Sequence, residues 1–312
     1  MTNRKPIVVV GSINMDLVAR AARIPVTGET VQGEEFRTHP GGKGANQAVA
    51  VARLGYPVSM IGKLGTDAFG AELRDHLQKS GIDVSAVGTS ETSSGVAVII
   101  VSPSGDNVIV VTPGANATVS PSDIDANLDR IRAAGLVLTQ LEIPLDTVEH
   151  LANVCAREGV PLMLDPAPAQ ELPAAVLHHT RWFTPNETEA AFFSASEPTN
   201  PPKEVARTLL AKGPQAVALK LGGRGVYLAD RDGLDRQIDA FAVRAVDTTA
   251  AGDAFNGAFA TALMLGNDPV ESARFAAAAA AISVTRPGAQ SSMPTLAEVQ
   301  ELLNGDHLRR SQ

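Results

Sequence analysis

The sequence predicts a doubly wound α/β fold: a mostly parallel sheet flanked by helices, with a small β-sheet lid beside it. Three observations carry this. Short, continuously apolar, β-branched runs recur along the chain, as in strands buried on both faces of a parallel sheet. Segments of helical period lie between them. Two stretches, 17–36 and 95–111, carry strand patterns joined by turns with no helix between, and such strands do not join a parallel sheet easily.

The first strand is Ile7–Val10, and Val58–Ile61, Leu136–Gln140, Pro161–Leu164 and Ala216–Leu219 repeat its character. Helical patterns occupy Gly44–Leu54, Ala68–Ser80, Ser122–Ala134, Leu145–Glu158 and Lys203–Lys212. Within 95–112, VAVIIV and NVIVV flank the polar turn Ser102–Asn107 and make a hairpin. The lid is assigned to about 17–40 and 95–112, within a single domain spanning 1–312. A short β segment is expected to end at Asp247. Helices Asp253–Leu265 and Pro269–Thr285, a Pro/Gly loop and a short helix from Leu296 close the chain.

Composition excludes several function classes. The 312 residues carry a formal net charge of -8 and no basic patch, which argues against nucleic acid. One cysteine, Cys155, rules out an internal disulfide framework and a cysteine-rich zinc site. The apolar run at the N-terminus is too short for a signal peptide, and no stretch is long and apolar enough for a membrane span. A cytoplasmic enzyme is expected.

The chemistry-bearing motifs are glycine-rich turns at helix starts and carboxylates at strand ends. In VDTTAAGDAFNG (Val246–Gly257), small residues Ala250, Ala251 and Gly252 precede a helix opened by Asp253. A helix N-terminus has unpaired N–H groups and partial positive charge, a cradle for an anion. An aspartate there repels a phosphate but suits a base that takes a proton from an attacking hydroxyl; it also suits a plain N-cap. In GGKGANQ (Gly41–Gln47), neither the Walker A nor the dinucleotide spacing is present. Gly42, Lys43 and Asn46 suit a polyhydroxylated ligand, or an ordinary turn with a solvated lysine. Asn14 and Asp16 follow the first strand and face one way in an extended stretch, as a bidentate grip on hydroxyls or as turn residues. Glu142 follows a strand end, where ligands bind in such folds. Asn186 and Glu189 share the first turn of a helix, fitting either a metal–phosphate water network or a capping box. Lys220–Gly225 (KLGGRG) follows a strand, as a nucleotide loop or a hairpin turn.

Together, GGKGANQAVAVARLG (Gly41–Gly55) and DTTAAGDAFNG (Asp247–Gly257) resemble, in order and separation, the two signatures of the ribokinase-like (PfkB) carbohydrate kinases. The resemblance runs from Ile7 to about Pro294. It implies ATP-dependent phosphorylation of a sugar, D-ribose at O5 or another pentose or ketose such as deoxyribose. Asp253 would be the base, with Ala250, Ala251 and Gly252 as the anion hole. Asn14, Asp16, Gly42, Lys43, Asn46 and Glu142 would contact sugar. Asn186 and the loop Lys220, Leu221, Gly222, Gly223, Arg224 and Gly225 would contact ATP, and Asn186 with Glu189 would organise Mg²⁺. Asp247, Thr249, Ser283, Arg286, Gly288 and Ser292 would form a loop for an activating K⁺. A homodimer through the β lid is implied as well. Lys220 departs from the threonine usual at its position, and Ala277 from a larger polar residue near the adenine. A catalytically silent sugar or nucleotide sensor on the same fold is the contrasting reading; the intact Asp253 and anion hole weigh against it.

Overall fold

A computed structural model describes residues 4–104, 106–197 and 200–310. In chain order the first half contains β1 (Ile7–Val10), β2 (Asn14–Ala21), β3 (Gly33–Gly41), α1 (Lys43–Arg53), β4 (Val58–Gly65), α2 (Ala68–Lys79), β5 (Asp83–Ser90), β6 (Gly95–Val101) and β7 (Asn107–Thr112). There follow α3 (Pro121–Ala126), α4 (Leu128–Ala133), β8 (Leu136–Thr139), α5 (Leu145–Glu158), β9 (Leu162–Leu164), α6 (Ala174–His178), β10 (Trp182–Phe183), α7 (Glu187–Ser194) and α8 (Pro202–Ala211). The last part holds β11 (Ala216–Lys220), β12 (Val226–Asp230), β13 (Asp235–Ile238), α9 (Ala251–Met264), α10 (Pro269–Ser283) and α11 (Leu296–Arg310).

The main sheet runs β13-β12-β11-β10-β9-β8-β1-β4-β5 and is parallel from β11 to β5. β12 and β13 add an antiparallel edge. Side chains alternate across a strand, and β1 shows the consequence. Ile7 and Val9 enter one apolar core with α1, α9 and α10. Val8 and Val10 enter the other with α5 and α8. A strand buried on both faces must therefore be apolar at nearly every position, which is why the sequence reads as hydrophobic runs.

The second sheet, β3-β2-β6-β7, is built from the two stretches that broke the α/β rhythm. β2 pairs parallel with β6 and antiparallel with β3. Its outer strand β7 leaves Val108, Ile109, Val110 and Val111 exposed, and Phe36 on β3 is 64 % exposed.

Several sequence expectations need correction. The helix expected over 122–134 breaks at Asn127, whose amide Nδ2 donates to the Asp123 carbonyl at 2.9 Å and so competes with the helical ladder. No strand ends at Asp247; instead the Val246 and Asp247 amides both donate to the Val284 carbonyl. α11, expected as a short helix from Leu296, spans 15 residues. β5, β10, β12 and β13 were not anticipated. β10 has only two residues, β13 is largely exposed at one sheet edge, and β5 at the other alternates exposed polar with partly buried positions, so no continuous hydrophobic run marks them. Among the described residues no helix is long and apolar enough to cross a membrane.

Candidate active site

The parallel strands deliver polar residues to one end of the sheet, as the direction of the chain requires. Gln140 follows β8, Asp165 follows β9, Asn186 follows β10 and Lys220 ends β11. This carboxyl end is where open α/β sheets bind ligands. There a cavity of about 690 Å³ opens, lined by Lys43, Asp165, Asn186, Glu189, Lys220, Gly222, Gly223, Gly225, Ala250–Asp253 and Ala277, among others.

Asp253 sits in the first turn of α9 and is 5 % exposed. Both its oxygens are held by amides of α1: Asn46 Nδ2 donates to Oδ2 at 2.9 Å and Gln47 Nε2 to Oδ1 at 3.1 Å. The sequence motif contained Gln47, but its role was missed. Gln47 also donates to Asp165 Oδ2 at 3.0 Å and accepts from Gln140 Nε2 at 2.7 Å. These contacts require α1 and α9 to touch. A methyl group on Gly257 would stand 2.6 Å from the Ala50 Cβ, so only glycine fits there. Ala250 adopts the left-handed conformation at φ 57° to turn the chain into α9. Ala251 donates its amide to Thr248, leaving those of Gly252 and Asp253 without an acceptor among the described residues.

Around Lys43, the one of these residues that lines the cavity, Asn14, Asp16, Gly42 and Glu142 come together as the sequence suggested. Glu142 Oε2 accepts from the Lys43 amide at 3.1 Å and from Ser12 Oγ. Asn14 Oδ1 accepts from Asn116 Nδ2 at 2.7 Å, and Asn116 also grips both backbone groups of Ile13. No local sequence pattern singles out Asn116 or links it to Asn14, 102 residues away. Gly41 lies where a Cβ would stand 2.3 Å from Asp16 Oδ2, and Gly42 has φ +87° with Asn14 N behind it.

Asn186 and Glu189 form a reciprocal capping box at the start of α7: Glu189 N donates to Asn186 Oδ1, and Asn186 N to Glu189 Oε2, both at 2.8 Å. The two side chains nonetheless line the cavity. Residues 220–225 make the hairpin turn between β11 and β12; Lys220, Gly222, Gly223 and Gly225 line the cavity, while Leu221 and Arg224 do not. Lys220 Nζ meets Asp165 Oδ1 at 2.9 Å. Asp165 was missed as well; its signal, a carboxylate just after an apolar strand, is the one that marked Glu142.

The Asp247 carboxylate joins two segments, accepting from Thr249 N at 2.9 Å and Gly288 N at 2.8 Å. These donors outweigh its partial burial and hold it below the usual carboxylate range. Ser283 and Ser292 are fully buried, each with its hydroxyl on a local carbonyl. The Arg286 side chain pairs with Glu298, leaving only its backbone for the loop. The Asp247 carboxylate and the Val284 carbonyl are hard oxygen donors of the type a large monovalent cation takes; here each oxygen accepts backbone N–H groups.

Burial sets the electrostatics. Asp253 is raised to about 6, chiefly by desolvation; Lys43 opposes this and Asp165 reinforces it. Asp16 is raised to about 7 by burial, with Glu142 and Asp253 adding repulsion against the pull of Lys43. Glu189 is raised by burial as well, with Lys220 opposing. For Lys43, burial alone would lower the pKa, but Asp253, Asp165, Glu142 and Glu189 outweigh it and hold the ammonium charged. Cys155, pushed up to about 12 by burial, is an inert core thiol. Carboxyl ¹³C NMR should therefore show midpoints near 6 and 7 that vanish in Asp253→Asn and Asp16→Asn respectively. Two midpoints near 4 would contradict the burial account.

Comparison with known proteins agrees with this geometry. The family model described as pfkB family carbohydrate kinase matches residues 4–296. A ribokinase of Schizosaccharomyces pombe is 43% identical over 310 residues, covering 96% of this chain and 98% of its own. A deoxyribokinase of Salmonella typhi is 37% identical, covering 96% and 98%. The structure of an Arabidopsis thaliana ribokinase complexed with ribose and ATP superposes with a TM-score of 0.91 at 35% identity, covering 96% of this chain and 99% of that one. Signature motifs, fold and site geometry thus converge: the chain belongs to the pfkB family of carbohydrate kinases.

Proposed function

We propose that this chain transfers the terminal phosphoryl group of ATP to O5 of D-ribose, in the cytoplasm, giving D-ribose 5-phosphate and ADP. One observation carries the reading: a buried carboxylate, held at both oxygens, stands in the same helix turn as two unpaired N–H groups at the edge of a large cavity. The names of the relatives support ribose as the acceptor.

In the reaction, Asp253 accepts the proton of the sugar hydroxyl. The freed oxygen lone pair forms the new P–O bond while the bond to the bridging oxygen of ADP breaks. The Gly252 and Asp253 N–H groups face the charge on the transferring oxygens, preorganised by the helix. Asn14 and Asp16 hold the sugar hydroxyls, with Gly42 giving close backbone approach and Lys43, Asn46 and Glu142 completing the grip. Asn186 and the loop 220–225 hold the nucleotide. Mg²⁺ arriving with ATP supplies charge neutralisation, and the carboxylates of Asp165 and Glu189 are the cavity's oxygen donors suited to it or its waters.

Asp253 serves as a base only when ionised. Activity should therefore fall as pH drops through about 6, and Asp253→Asn should lower kcat by about 10²–10⁴-fold. A coupled assay of ribose, deoxyribose and other pentoses and ketoses with MgATP checks both. No turnover of ribose would overturn the substrate assignment, and near-wild-type kcat in Asp253→Asn the mechanism.

We also assign the loop around Asp247 to an activating K⁺, supported by the oxygen set of Asp247 and Val284 next to the segment 248–252. Fixing that segment aims the anion-hole N–H groups before reaction. At constant ionic strength, replacing Na⁺ by K⁺ should raise kcat several-fold and also raise Tm, and Asp247→Ala should remove most of both gains. Identical rates and Tm in the two salts would refute it.

The apolar outer strand of the small sheet supports a homodimer through this lid, since Val108, Ile109, Val110 and Val111 stand exposed in one strand. Sedimentation should give twice the chain mass, and Val110→Asp should give monomers. A monomeric wild type would end that proposal.

A further inference from the structure

Four carboxylates line the cavity, Asp165, Glu187, Glu189 and Asp253, against two cationic side chains among the described residues, Lys43 and Lys220. A nucleoside triphosphate adds a polyanion to this excess of negative charge. Lys43 belongs to the sugar end, where its backbone is tied to Glu142. Lys220 therefore stands as the cation of the nucleotide side. Its side chain is 12% exposed and is bound to Asp165, itself 4% exposed. It also lies over the anion hole: a methyl group on Gly252 would stand 3.3 Å from Lys220 Nζ.

Resting on the kinase reading above, we propose that Lys220 is a further catalytic residue whose ammonium leaves Asp165 for the terminal phosphoryl group and stays on it during transfer. The backbone allows this. The Lys220 amide is fixed by the Pro185 carbonyl at 2.9 Å, so the root of the side chain stays still while its four-carbon stem swings. A charge-assisted hydrogen bond to a phosphate oxygen then replaces one to a carboxylate. Asp165 keeps the Gln47 donor, and its charge is then balanced by the divalent cation that accompanies the nucleotide. Without a nucleotide, the ion pair keeps Asp165 from standing as an uncompensated buried charge beside Asp253. Lys220 donates no proton; it supplies charge where the transferring oxygens carry it.

The test compares wild type with Lys220→Met, Lys220→Arg and Asp165→Asn. Turnover of ribose by the wild type first checks the kinase reading on its own. Lys220→Met should then lower kcat by about 10–100-fold, leave the ribose KM within about two-fold, and weaken ATP more than ADP by calorimetry. Lys220→Arg should recover most of the loss. Asp165→Asn, which frees the ammonium and removes a carboxylate assigned to Mg²⁺, should tighten sugar-free binding of metal-free ATP, measured with a chelator present, several-fold. Wild-type kcat in Lys220→Met, equal weakening of ATP, ADP and adenosine, or unchanged or weaker binding of metal-free ATP in Asp165→Asn would overturn the proposal. If Lys220→Met does not fold, the arginine and asparagine variants decide. If the wild type does not turn over ribose, the binding arms still decide the role of Lys220.

Discussion

The site depends on keeping one carboxylate away from water while leaving it able to ionise. Asp253 is almost fully buried, and desolvation alone would suppress its charge. The amides of Asn46 and Gln47 and the ammonium of Lys43 oppose that cost. All three sit on the first turns of α1, more than 200 residues from Asp253 in sequence. The helices must therefore meet closely, and the chain meets this with small residues: Gly257 against Ala50, within helices rich in buried alanine. The alanine-rich, aromatic-poor composition is in part a consequence of that crossing.

A second layer of amides fixes the orientation of the first. The Gln47 oxygen is taken by Gln140, so its Nε2 faces Asp253 and Asp165. Gln290 does the same for Asn46, donating to its Oδ1 at 3.1 Å. An amide pinned at its oxygen presents its nitrogen without rotating, and so the base is aimed by groups that do not touch a ligand. Gln290 lies two residues beyond Gly288, whose N–H holds Asp247. One loop thus braces both the base and the segment 248–252 that forms the cradle.

The distribution of charge explains why a strongly acidic cavity can accept a polyanion. Every carboxylate in it has an assigned internal donor: Asp165 has Lys220 and Gln47, Glu189 has Asn186, Glu187 has Arg224, and Asp253 has Asn46 and Gln47. Backbone N–H groups provide the complementary potential without adding a counter-charge.

The sequence by itself determined the parts whose signal is local. Apolar runs revealed β1, β4, β8, β9 and β11, because a strand buried on both faces has few polar positions, such as Ser59 of β4 and Thr139 of β8. The glycine-rich signatures picked out Asp253, Lys43 and Asn46, because close backbone approach at a helix start demands small residues at fixed spacing. Glu142 and Asn186 were marked by standing just beyond strands, and Asn14 and Asp16 by following β1, although in the fold those two lie within β2. The tertiary structure alone decided what depends on distant partners. It paired Lys220 with Asp165 across 55 residues, set Asn116 behind Asn14, and gave Gln140 and Gln290 their orienting tasks. It also raised Asp16 and Asp253 above the ordinary carboxylate range, because a pKa follows burial and neighbouring charge, and both are assembled only when the two ends of the chain meet over the sheet.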